Sequence, residues 1–483
     1  MLPATITEAA RRFGDRTAYV AEAGWDLTYA AIDRISDEVA AGLARRGLGP
    51  GDVMALILPP GPEYLLAYCG AAKLGAITAG VNDRLSDRER QAMLDLADPK
   101  VVLTAEEFTA AERADAVLAD LRVTGAAASP LADDPERPLA IIFTSGTTGL
   151  PKGALYCDKQ IAFITQTDVG ETWDGGGRSF TGTSFAHLGF MTKLPGNLRK
   201  GGTNFIMTRW RAQDALALLE REQMASVAGV PSQVALMLRR PDFDAYDLSS
   251  VRFIVVGGGP VTPGLADEAR RRFGAKLATR YSCTEAGIGL GTGFDDPDED
   301  AIESVGRPHA SVELALRGED GLDVTAGEVG EVCLRSPAVM AGFWRDPEAT
   351  AAAFTPDGFV RTGDLGRLDD RGRLRLVGRS KEMYVRGGYN VYPVEVEAVL
   401  STHPDIAAVA VVPRPDAVMG EIGVAVVVAR DPARPPALDA LRAYASDQLA
   451  GYKLPEAVHV VDALPLTVGE KVDRRALAAE VRA

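Results

Sequence analysis

The feature that most constrains the fold of this chain is the alternation of short apolar runs with longer helical stretches. The segment 62–75, PEYLLAYCGAAKLG, is helical in composition and follows the first apolar run. Strand-like runs bounded by Gly, Pro or charged residues occur at 53–58, 100–104, 139–144, 226–230 and 252–258. Strands and helices that alternate in this way form layered, largely parallel sheets. The sequence therefore predicts an α/β fold.

The pattern changes after residue 310, where the strand-like runs become shorter and more polar. VELAL, GEVCLR and GRLRLVGR are of this kind, and they predict a small antiparallel β subdomain. A separate pattern of strands and helices begins near Arg379. We therefore expect a large N-terminal domain, residues 1–379, with mostly parallel sheets flanked by helices. Residues 380–483 should form a small, mobile α+β C-terminal domain.

Length and charge limit the partners of the chain. Its 483 residues exceed one ordinary domain. The net charge of −15 disfavours nucleic acid and anionic membranes, because both attract clustered Lys and Arg. We expect the acidic segments 132–138 and 295–300 to be solvated loops. No window is apolar enough to span a membrane, the N-terminal residues lack the long apolar stretch typical of a signal peptide, and the cysteines form no metal-type pair. We therefore expect a cytoplasmic protein.

A segment rich in glycine and hydroxyl groups, IIFTSGTTGLPKGA, occupies residues 141–154. Its glycines permit a tight turn whose backbone N–H groups converge on an anion, although the Gly-Lys-Ser/Thr ending of a Walker A loop is missing. A plain turn is the alternative for GTTG alone, but the whole stretch favours phosphate binding. The residues that we expect to bind phosphate are Thr144, Ser145, Gly146, Thr147, Thr148 and Lys152.

This segment resembles the phosphate loop of the adenylate-forming superfamily of acyl- and aryl-CoA ligases, adenylation domains and firefly luciferase. Similar motifs follow in the family's order: YSCTEAG (281–287), RTGDLGRLDDRGRLRLVGRSKEM (361–383), RGGYNVYPVEVEAVL (386–400) and LPLTVGEKVDRRAL (464–477). Because these motifs extend along nearly the whole chain, the sequence is identified as a member of this family. The segment 387–393 is most similar to the acyl-CoA synthetase branch.

The resemblance implies sites for ATP and Mg²⁺. Glu285, after Thr284, corresponds to the family's magnesium carboxylate, and an oxygen ligand suits this hard ion. Thr147 is the second expected metal contact. Asp364 would accept hydrogen bonds from the ribose hydroxyls, and Arg379 would reach the ribose or the phosphates.

The resemblance also implies an adenine site. Tyr281 would stack on the ring, beside Ser282, which replaces the family's usual Gly. Three glycines would let the chain pass close to the ring: Gly257, Gly258 and Gly259.

Lys471 corresponds to the family's catalytic lysine, because a compact ammonium can follow the charge that develops between the carboxylate and the α-phosphate. The alternative is an exposed lysine without a catalytic role. The residues LPLT that precede it in the motif disfavour this alternative. The family usually has Gly immediately before this Lys, whereas this chain has Gly469 followed by Glu470. We therefore expect a carboxylate beside the ammonium and a flexible position that has shifted by one residue.

Three further residues are assigned to the thiol step through the resemblance. Lys381 corresponds to the hinge about which the small domain rotates after adenylation. Gly387 and Gly388 would provide backbone freedom and a bare surface beside a narrow pantetheine channel. Pro393 suits the first turn of the helix that follows.

His187 is expected at the mouth of the acid pocket, with a buried, hydrogen-bonded histidine as the alternative. Amino-acid-activating members carry an Asp where this chain has Phe185-Ala186-His187, so the sequence favours an acid without an α-amino group.

The resemblance implies ATP-dependent conversion of a small-molecule carboxylic acid to its acyl-adenylate, with release of pyrophosphate. Transfer to the thiol of coenzyme A would follow, which is the reaction of an acid–thiol ligase. The first alternative is a freestanding adenylating enzyme that loads an acyl carrier protein or passes the adenylate to another nucleophile. The second is a non-catalytic nucleotide-binding homologue. We expect a monomer or a homodimer.

Overall fold

The computed structural model describes residues 2–108, 111–144, 151–380 and 382–482. No helix in these ranges is both long and apolar enough to cross a membrane. Numbered in chain order, the α-helices of the described ranges are α1 Leu2–Phe13, α2 Tyr29–Arg45, α3 Pro62–Leu74, α4 Asp87–Ala97, α5 Asp158–Val169, α6 Leu188–Met191, α7 Leu194–Lys200, α8 Ala212–Arg221, α9 Pro231–Leu238, α10 Pro263–Phe273, α11 Asp298–Glu303, α12 Pro347–Ala353, α13 Pro393–Leu400, α14 Leu438–Ala445 and α15 Arg474–Glu480.

The β-strands confirm the runs that the sequence predicts near residues 53, 100, 139, 226 and 252. In chain order the strands of the described ranges are β1 Thr17–Val20, β2 Asp26–Thr28, β3 Val53–Ile57, β4 Ile77–Gly80, β5 Val101–Thr104, β6 Pro138–Thr144, β7 Lys152–Cys157, β8 Arg178–Thr181, β9 Thr203–Ile206, β10 Ser226–Gly229, β11 Phe253–Gly257, β12 Lys276–Tyr281, β13 Leu290–Gly291, β14 Arg307–Pro308, β15 Glu313–Arg317, β16 Gly330–Arg335, β17 Gly342–Phe343, β18 Val360–Leu368, β19 Leu374–Arg379, β20 Tyr384–Arg386, β21 Tyr389–Val391, β22 Ile406–Asp416, β23 Gly420–Ala429 and β24 Ala457–Val460.

The chain divides into two compact units. Unit 1 comprises Met1–Val227, Cys283–Ile288 and Arg335–Val360. Unit 2 comprises Ala228–Ser282, Gly289–Leu334 and Arg361–Ala483. The division of the chain into domains of residues 1–379 and 380–483 stays a prediction.

Unit 1 is built around a six-stranded sheet with the order β17-β7-β6-β4-β3-β5. Strands β3 to β6 run parallel, whereas β7 is antiparallel to β6 and β17 is antiparallel to β7. β3 is buried at every residue, as its unbroken apolar run predicts for a parallel sheet covered on both faces. A second sheet of four strands has the order β2-β1-β9-β8.

Most residues of three further sheets belong to unit 2. In the sheet β10-β11-β12-β13-β14, β11 and β12 are parallel and the pairs from β12 to β14 are antiparallel. The sheet β15-β16-β18-β19, with its antiparallel pair β18–β19, lies where the sequence predicts the small antiparallel subdomain. The third sheet has the order β21-β20-β23-β22, with β24 beside β23. The predicted α/β class is therefore confirmed.

Strands β22 and β23 have an apolar cluster on each face. Val411 and Val427 belong to the cluster that contains Leu441 of α14. Their neighbours Val412 and Val426 belong to the other cluster, with residues of α15. Because successive side chains of a strand point to opposite faces, an uninterrupted apolar run is what a sheet covered on both sides requires.

The acidic segment 295–300 is only partly the solvated loop that its composition predicts. Helix α11 begins at Asp298, and Asp300 is 1% exposed. Oδ1 of Asp300 accepts a 2.6 Å hydrogen bond from Nη1 of Arg373, and Oδ2 accepts one of 2.9 Å from Nη1 of Arg307. The prediction was wrong at Asp300 because its arginine partners come from later segments of the chain.

Candidate active site

The segment predicted to bind phosphate joins two antiparallel strands of unit 1. Thr144 ends β6 and pairs with Lys152, the first residue of β7. The Lys152 ammonium lies 5.0 Å from the centre of the Phe343 ring, which is a cation–π distance. Both ends of the predicted phosphate loop are therefore held by a β-hairpin. Four of its predicted residues lie outside the described ranges: Ser145, Gly146, Thr147 and Thr148.

Thr284 and Glu285 lie in a turn of unit 1 that is anchored through main-chain atoms. The Tyr156 hydroxyl donates a 2.6 Å hydrogen bond to the carbonyl oxygen of Thr284. The N–H of Met340 donates a 3.0 Å bond to the carbonyl oxygen of Glu285. Gly287 continues the chain with φ 71°, a conformation that favours glycine. These two hydrogen bonds fix the backbone of the turn and do not involve the side chain of Glu285.

The Glu285 carboxylate is half-buried and has no hydrogen-bond partner among the residues that the structure describes. Burial raises the pKa of Tyr156 well above its ordinary value, and the charges of Cys283 and Glu285 raise it further. Tyr156 is therefore a neutral hydrogen-bond donor behind the Thr284–Glu285 turn. Sequence reasoning missed this residue, because an apolar strand with one tyrosine is typical of an ordinary core.

No group of three or more His, Cys, Asp or Glu side chains suited to a metal occurs within the described ranges. Mg²⁺ commonly keeps several waters and binds through one or two carboxylates together with substrate phosphates. A single partner-free carboxylate such as that of Glu285 fits this mode of binding.

His187 precedes the short helix α6 and is exposed. Its Nδ1 accepts a 3.2 Å hydrogen bond from the N–H of Gly189. The neutral ring therefore carries its proton on Nε2, which is a donor. Phe185 precedes His187 in the sequence and Phe190 follows it, and the centroids of their stacked rings lie 3.7 Å apart. The ring of Tyr64 makes an edge-to-face contact with each of them. This aromatic cluster anchors the backbone that carries His187.

In unit 2, Tyr281 and Asp364, both predicted to bind the nucleoside, are in direct contact. The Tyr281 hydroxyl donates a 2.7 Å hydrogen bond to Oδ2 of Asp364. Nε of Arg379 donates one of 2.8 Å to Oδ1, and the two residues are cross-strand partners in β18 and β19. Asp364 is 6% exposed, whereas the Arg379 side chain is 54% exposed. The tyrosine hydroxyl and the carboxylate were predicted separately, and their hydrogen bond was not.

The arrangement around Asp364 fits a ribose. Each carboxylate oxygen has a second lone pair after it accepts one hydrogen bond, so both oxygens can still accept from a pair of hydroxyls. The carboxylate of this ion pair is buried, whereas the Arg379 side chain is 54% exposed and is therefore accessible to a bound nucleotide. Ser282 follows Tyr281 directly and is half-buried.

The glycine run that begins at the last residue of β11 has two distinct causes. A Cβ at Gly257 would lie 2.7 Å from the carbonyl oxygen of Arg280, so the neighbouring strand excludes a side chain. Gly258 has φ 79°, which is left-handed and favours glycine. A Cβ at Gly259 would make only ordinary contact, 3.4 Å from Pro231. Close strand packing and one left-handed turn explain the first two glycines.

The lysine loop, residues 465–473, is a tight turn held by its own hydrogen bonds. The N–H of Thr467 donates a 2.7 Å bond to the Lys471 carbonyl oxygen, and the N–H of Lys471 donates a 3.2 Å bond to Oγ1 of Thr467. Leu466 and Val472 form an antiparallel bridge at its base. Lys471 is exposed.

The left-handed residue of the lysine loop is Glu470, with φ 60°, and not Gly469. The position directly before the lysine therefore has a conformation that favours glycine, although this chain carries Glu there. Gly469, the flexible position that has shifted by one residue, has no positive φ. A residue with a Cβ loses about 1–2 kcal/mol in this conformation.

Gly387 and Gly388 form the two-residue turn between β20 and β21, with φ 54° and 88°. Such hairpin turns need positive φ at both positions, which explains the glycine pair. Pro393 is the first residue of α13, as predicted. Lys381, the predicted hinge, lies outside the described ranges.

The fold and these motifs together are those of an adenylate-forming enzyme. Residues 6–344 match the family described as AMP-binding enzyme, and residues 395–471 match the AMP-binding enzyme C-terminal domain. The chain belongs to the AMP-binding enzyme family, as its motifs predict.

Similar proteins carry ligase and synthetase names. The chain is 33% identical to a feruloyl-CoA synthase of an Amycolatopsis species over 476 residues, 95% of each chain. It is 35% identical to an indoleacetate–CoA ligase of Aromatoleum aromaticum over 478 residues, 92% of each chain. The amide bond synthetase McbA from Marinactinospora thermotolerans has a TM-score of 0.87 at 27% identity, with 100% of both chains covered. The predicted family and its ligase character are therefore confirmed.

Proposed function

We propose that this chain is an AMP-forming ligase that joins a carboxylic acid to coenzyme A. The observation that carries the proposal is the retention of the lysine loop in the same compact unit as the Tyr281–Asp364 pair. Two relatives, named as a feruloyl-CoA synthase and an indoleacetate–CoA ligase, are similar along more than nine-tenths of the chain and support the same reaction. A non-catalytic homologue would not need to retain the lysine, the Glu285 carboxylate and the nucleoside carboxylate together.

In the first step, a carboxylate oxygen of the acid attacks the α-phosphorus of ATP. The new bond is the acyl–phosphate bond, and the bond between the α-phosphorus and the bridging oxygen breaks as pyrophosphate leaves. Because two anions must approach, the barrier is mainly electrostatic. We assign the stabilising positive charge to Lys471, and the binding of the outer phosphates to Thr144, Lys152 and the intervening loop.

The nucleoside is assigned to Tyr281, Asp364 and Arg379. The carboxylate would accept from the ribose hydroxyls, the phenol ring would stack on adenine, and the arginine would turn to the ribose or phosphates. Glu285 and Thr147 would hold Mg²⁺, which when bound would neutralise phosphate charge. Each of these groups acts through charge and alignment, and none needs to form a covalent bond.

In the second step, the sulfur of coenzyme A attacks the acyl carbon. A thioester bond forms, AMP leaves, and the thiol proton passes to solvent or to a nearby base. We assign Gly387 and Gly388 to the pantetheine channel, since a glycine pair at a hairpin tip leaves the backbone bare. Lys381 is the proposed hinge between the two steps.

A carboxylic acid whose carboxylate is attached to an uncharged aryl-containing group is the substrate class that we favour. The predicted acid-binding segment carries no carboxylate for an α-ammonium group, and its His187 presents a neutral donor on an aromatic support. The two relatives named above carry the names of ferulic and indoleacetic acid, which are both aryl acids.

A second candidate passes the adenylate to an amine or to an acyl carrier protein. The likeness to an amide bond synthetase over the full length of both chains favours an amine acceptor. Both candidates share the first step and differ only in the nucleophile of the second.

The test is a mass-spectrometric assay with ATP, Mg²⁺ and a mixed pool of aryl and alkyl acids, with and without coenzyme A. We expect an aryl-CoA product that requires coenzyme A, with stoichiometric AMP. Acyl-AMP that accumulates and ignores coenzyme A would contradict the ligase, and amines or a phosphopantetheinylated carrier protein should then be added. The absence of any acid-dependent AMP would contradict both candidates.

A further inference from the structure

A hydrogen bond links helix α9 to the lysine loop. Ser232, the second residue of α9, donates it from Oγ to the main-chain oxygen of Glu470, 238 residues away in the sequence. We propose that Ser232 is a positioning residue that holds Lys471 in place for adenylation. This inference rests on the proposed function, because it assigns a role in the first step of that reaction.

The bond acts on the backbone from which the lysine side chain begins. The carbonyl group of Glu470 and the N–H of Lys471 belong to one planar peptide unit. Ser232 holds the oxygen of this unit, and Oγ1 of Thr467 accepts from its N–H at 3.2 Å. Two hydroxyls thus fix both polar atoms of the peptide that carries Lys471. The position of the Lys471 ammonium then depends only on the torsion angles of its own side chain.

The left-handed conformation of Glu470 makes this restraint necessary. A residue with a Cβ is disfavoured at φ 60°, so the peptide would otherwise tend to rotate away. Inside the loop, the N–H of Glu470 donates a 2.8 Å bond to the carbonyl oxygen of Thr467. The bond from Ser232 adds an anchor from outside the loop, because Ser232 belongs to helix α9.

Ser232 has no part in capping its own helix. At the start of α9, Oε1 of Gln233 accepts a 3.2 Å hydrogen bond from the N–H of Val230, the residue before the first turn. Pro231 fills the first helical position and has no N–H to satisfy. Removal of the Ser232 hydroxyl should therefore leave α9 intact and act on the lysine loop.

Two contacts hold other C-terminal segments against α10, and they do not involve the lysine loop. The N–H of Gly264 donates a 3.4 Å bond to Oγ of Ser401, and Nη2 of Arg430 lies 3.4 Å from Oε2 of Glu268. A Cβ at Gly264 would lie 2.2 Å from the Ser401 carbonyl oxygen, so the approach is close. The Ser232–Glu470 bond can therefore be tested without removing these contacts.

The test compares Ser232→Ala and Ser232→Thr with a matched control, Ser446→Ala. Ser446 also donates from Oγ to a main-chain oxygen, that of Ala443, but on the exposed end of α14. We expect Ser232→Ala to lower kcat of acid-dependent ATP–pyrophosphate exchange about fivefold to tenfold, the range for one neutral hydrogen bond, with the KM for ATP unchanged. Thioester formation from supplied acyl-adenylate should be retained, and Ser232→Thr should restore the exchange.

Hydrogen exchange of the full-length protein provides a readout that needs no substrate. The Lys471 amide should lose protection in Ser232→Ala and keep it in Ser446→Ala. Unchanged protection, or an equal fall in both half-reactions, would overturn the proposal. If the wild-type enzyme supports no pyrophosphate exchange with any acid, the proposed function fails, and the protection of Lys471 alone decides whether Ser232 positions the loop.

Discussion

The hydroxyl of Tyr281 donates a 2.7 Å hydrogen bond to Oδ2 of Asp364, which joins the end of β12 to β18 of a different sheet. Arg379 donates to the other oxygen of the same carboxylate. The orientation of the carboxylate is therefore set by the protein before a nucleotide arrives. A site organised in advance loses less entropy on binding than one that must assemble around its ligand.

Asp364→Asn should weaken ATP binding by about tenfold to a hundredfold, because hydrogen bonds to a charged group contribute about 1.5–3 kcal/mol. An amide also supplies only one acceptor oxygen to the ribose, and it leaves Arg379 without its ion-pair partner. Isothermal titration calorimetry of ATP binding checks this.

Asp370→Asn is the matched control, because Asp370 is exposed in the turn between the same two strands. It should bind ATP as the wild type does. Equal affinities for all three proteins would remove Asp364 from the nucleoside site.

Gly469→Ala should be tolerated, since Gly469 has no positive φ and its nearest neighbour would lie 3.9 Å from a new Cβ. Reduced freedom of the unfolded chain should raise the free energy of unfolding by about 0.4–1 kcal/mol. Gly258→Ala, at φ 79°, should instead lower it. Urea denaturation of the three proteins measures these differences, and a loss of stability in Gly469→Ala would contradict the observed loop conformation.

The sequence predicts much of the fold because a buried parallel strand appears in it as an unbroken apolar run. Val53–Ile57 and Phe253–Gly257 were found in this way, and Pro393 marked the start of its helix. Ion pairs between residues that are far apart in the sequence leave no local sequence pattern. Asp300 lies in an acidic segment like many solvated ones, and only the fold brings Arg373 and Arg307 to it.

The candidate site was predicted residue by residue, but its internal contacts were not. Tyr281 and Asp364 lie in motifs that the sequence displays, while their hydrogen bond depends on the pairing of two sheets. Ser232 and Tyr156 carry no motif at all, since both act through main-chain oxygens of distant residues. A contact to a main-chain atom leaves no trace in the identity of the residue contacted.

Arg373→Leu should make the protein sensitive to acid. Burial would raise the pKa of Asp369, but hydrogen bonds from the main chain and side chain of Arg373 hold it at about 2. Asp300 has a lowered pKa as well, against its burial, through Arg307 and Arg373. Since the folded-state pKa values lie below those of the unfolded chain, near 3.9, these groups stabilise the fold above that pH. Their contribution is lost as the pH falls toward 2.

Without the Arg373 side chain, each of the two carboxylates loses one charged hydrogen-bond donor, while Asp300 keeps Arg307 and Asp369 keeps the main-chain N–H of residue 373. The free energy of unfolding at pH 7 should therefore fall by about 1.5–3 kcal/mol, the range for a hydrogen bond to a charged group. The midpoint of acid unfolding, followed by circular dichroism, should move to higher pH. Arg371→Leu is the control, because the Arg371 side chain is 63% exposed and should contribute less than about 1 kcal/mol. Equal midpoints for the two variants would contradict this account of the cluster.

Cys283 should react first with a thiol reagent at pH 8. Burial raises the pKa of Cys69 to about 12 and that of Cys157 to about 11, and only the thiolate is nucleophilic. Cys333 is also buried, whereas Cys283 is partly exposed beside Thr284. Peptide mapping after brief alkylation identifies the site, and ATP with Mg²⁺ should slow the reaction. Faster labelling of Cys69, or no effect of ATP on Cys283, would contradict the placement of the site.

The most direct measurement is the rate of each half-reaction in Lys471→Ala. The proposed role requires acid-dependent ATP–pyrophosphate exchange to fall by about a hundredfold to a thousandfold, as expected when one preorganised charge is removed from a transition state. Thioester formation from supplied acyl-adenylate and coenzyme A should continue near the wild-type rate. Lys159→Ala, which removes an exposed lysine paired with Glu136, should change neither rate. Equal losses in both half-reactions of Lys471→Ala, or full exchange activity without the lysine, would contradict the assignment of adenylation to this loop.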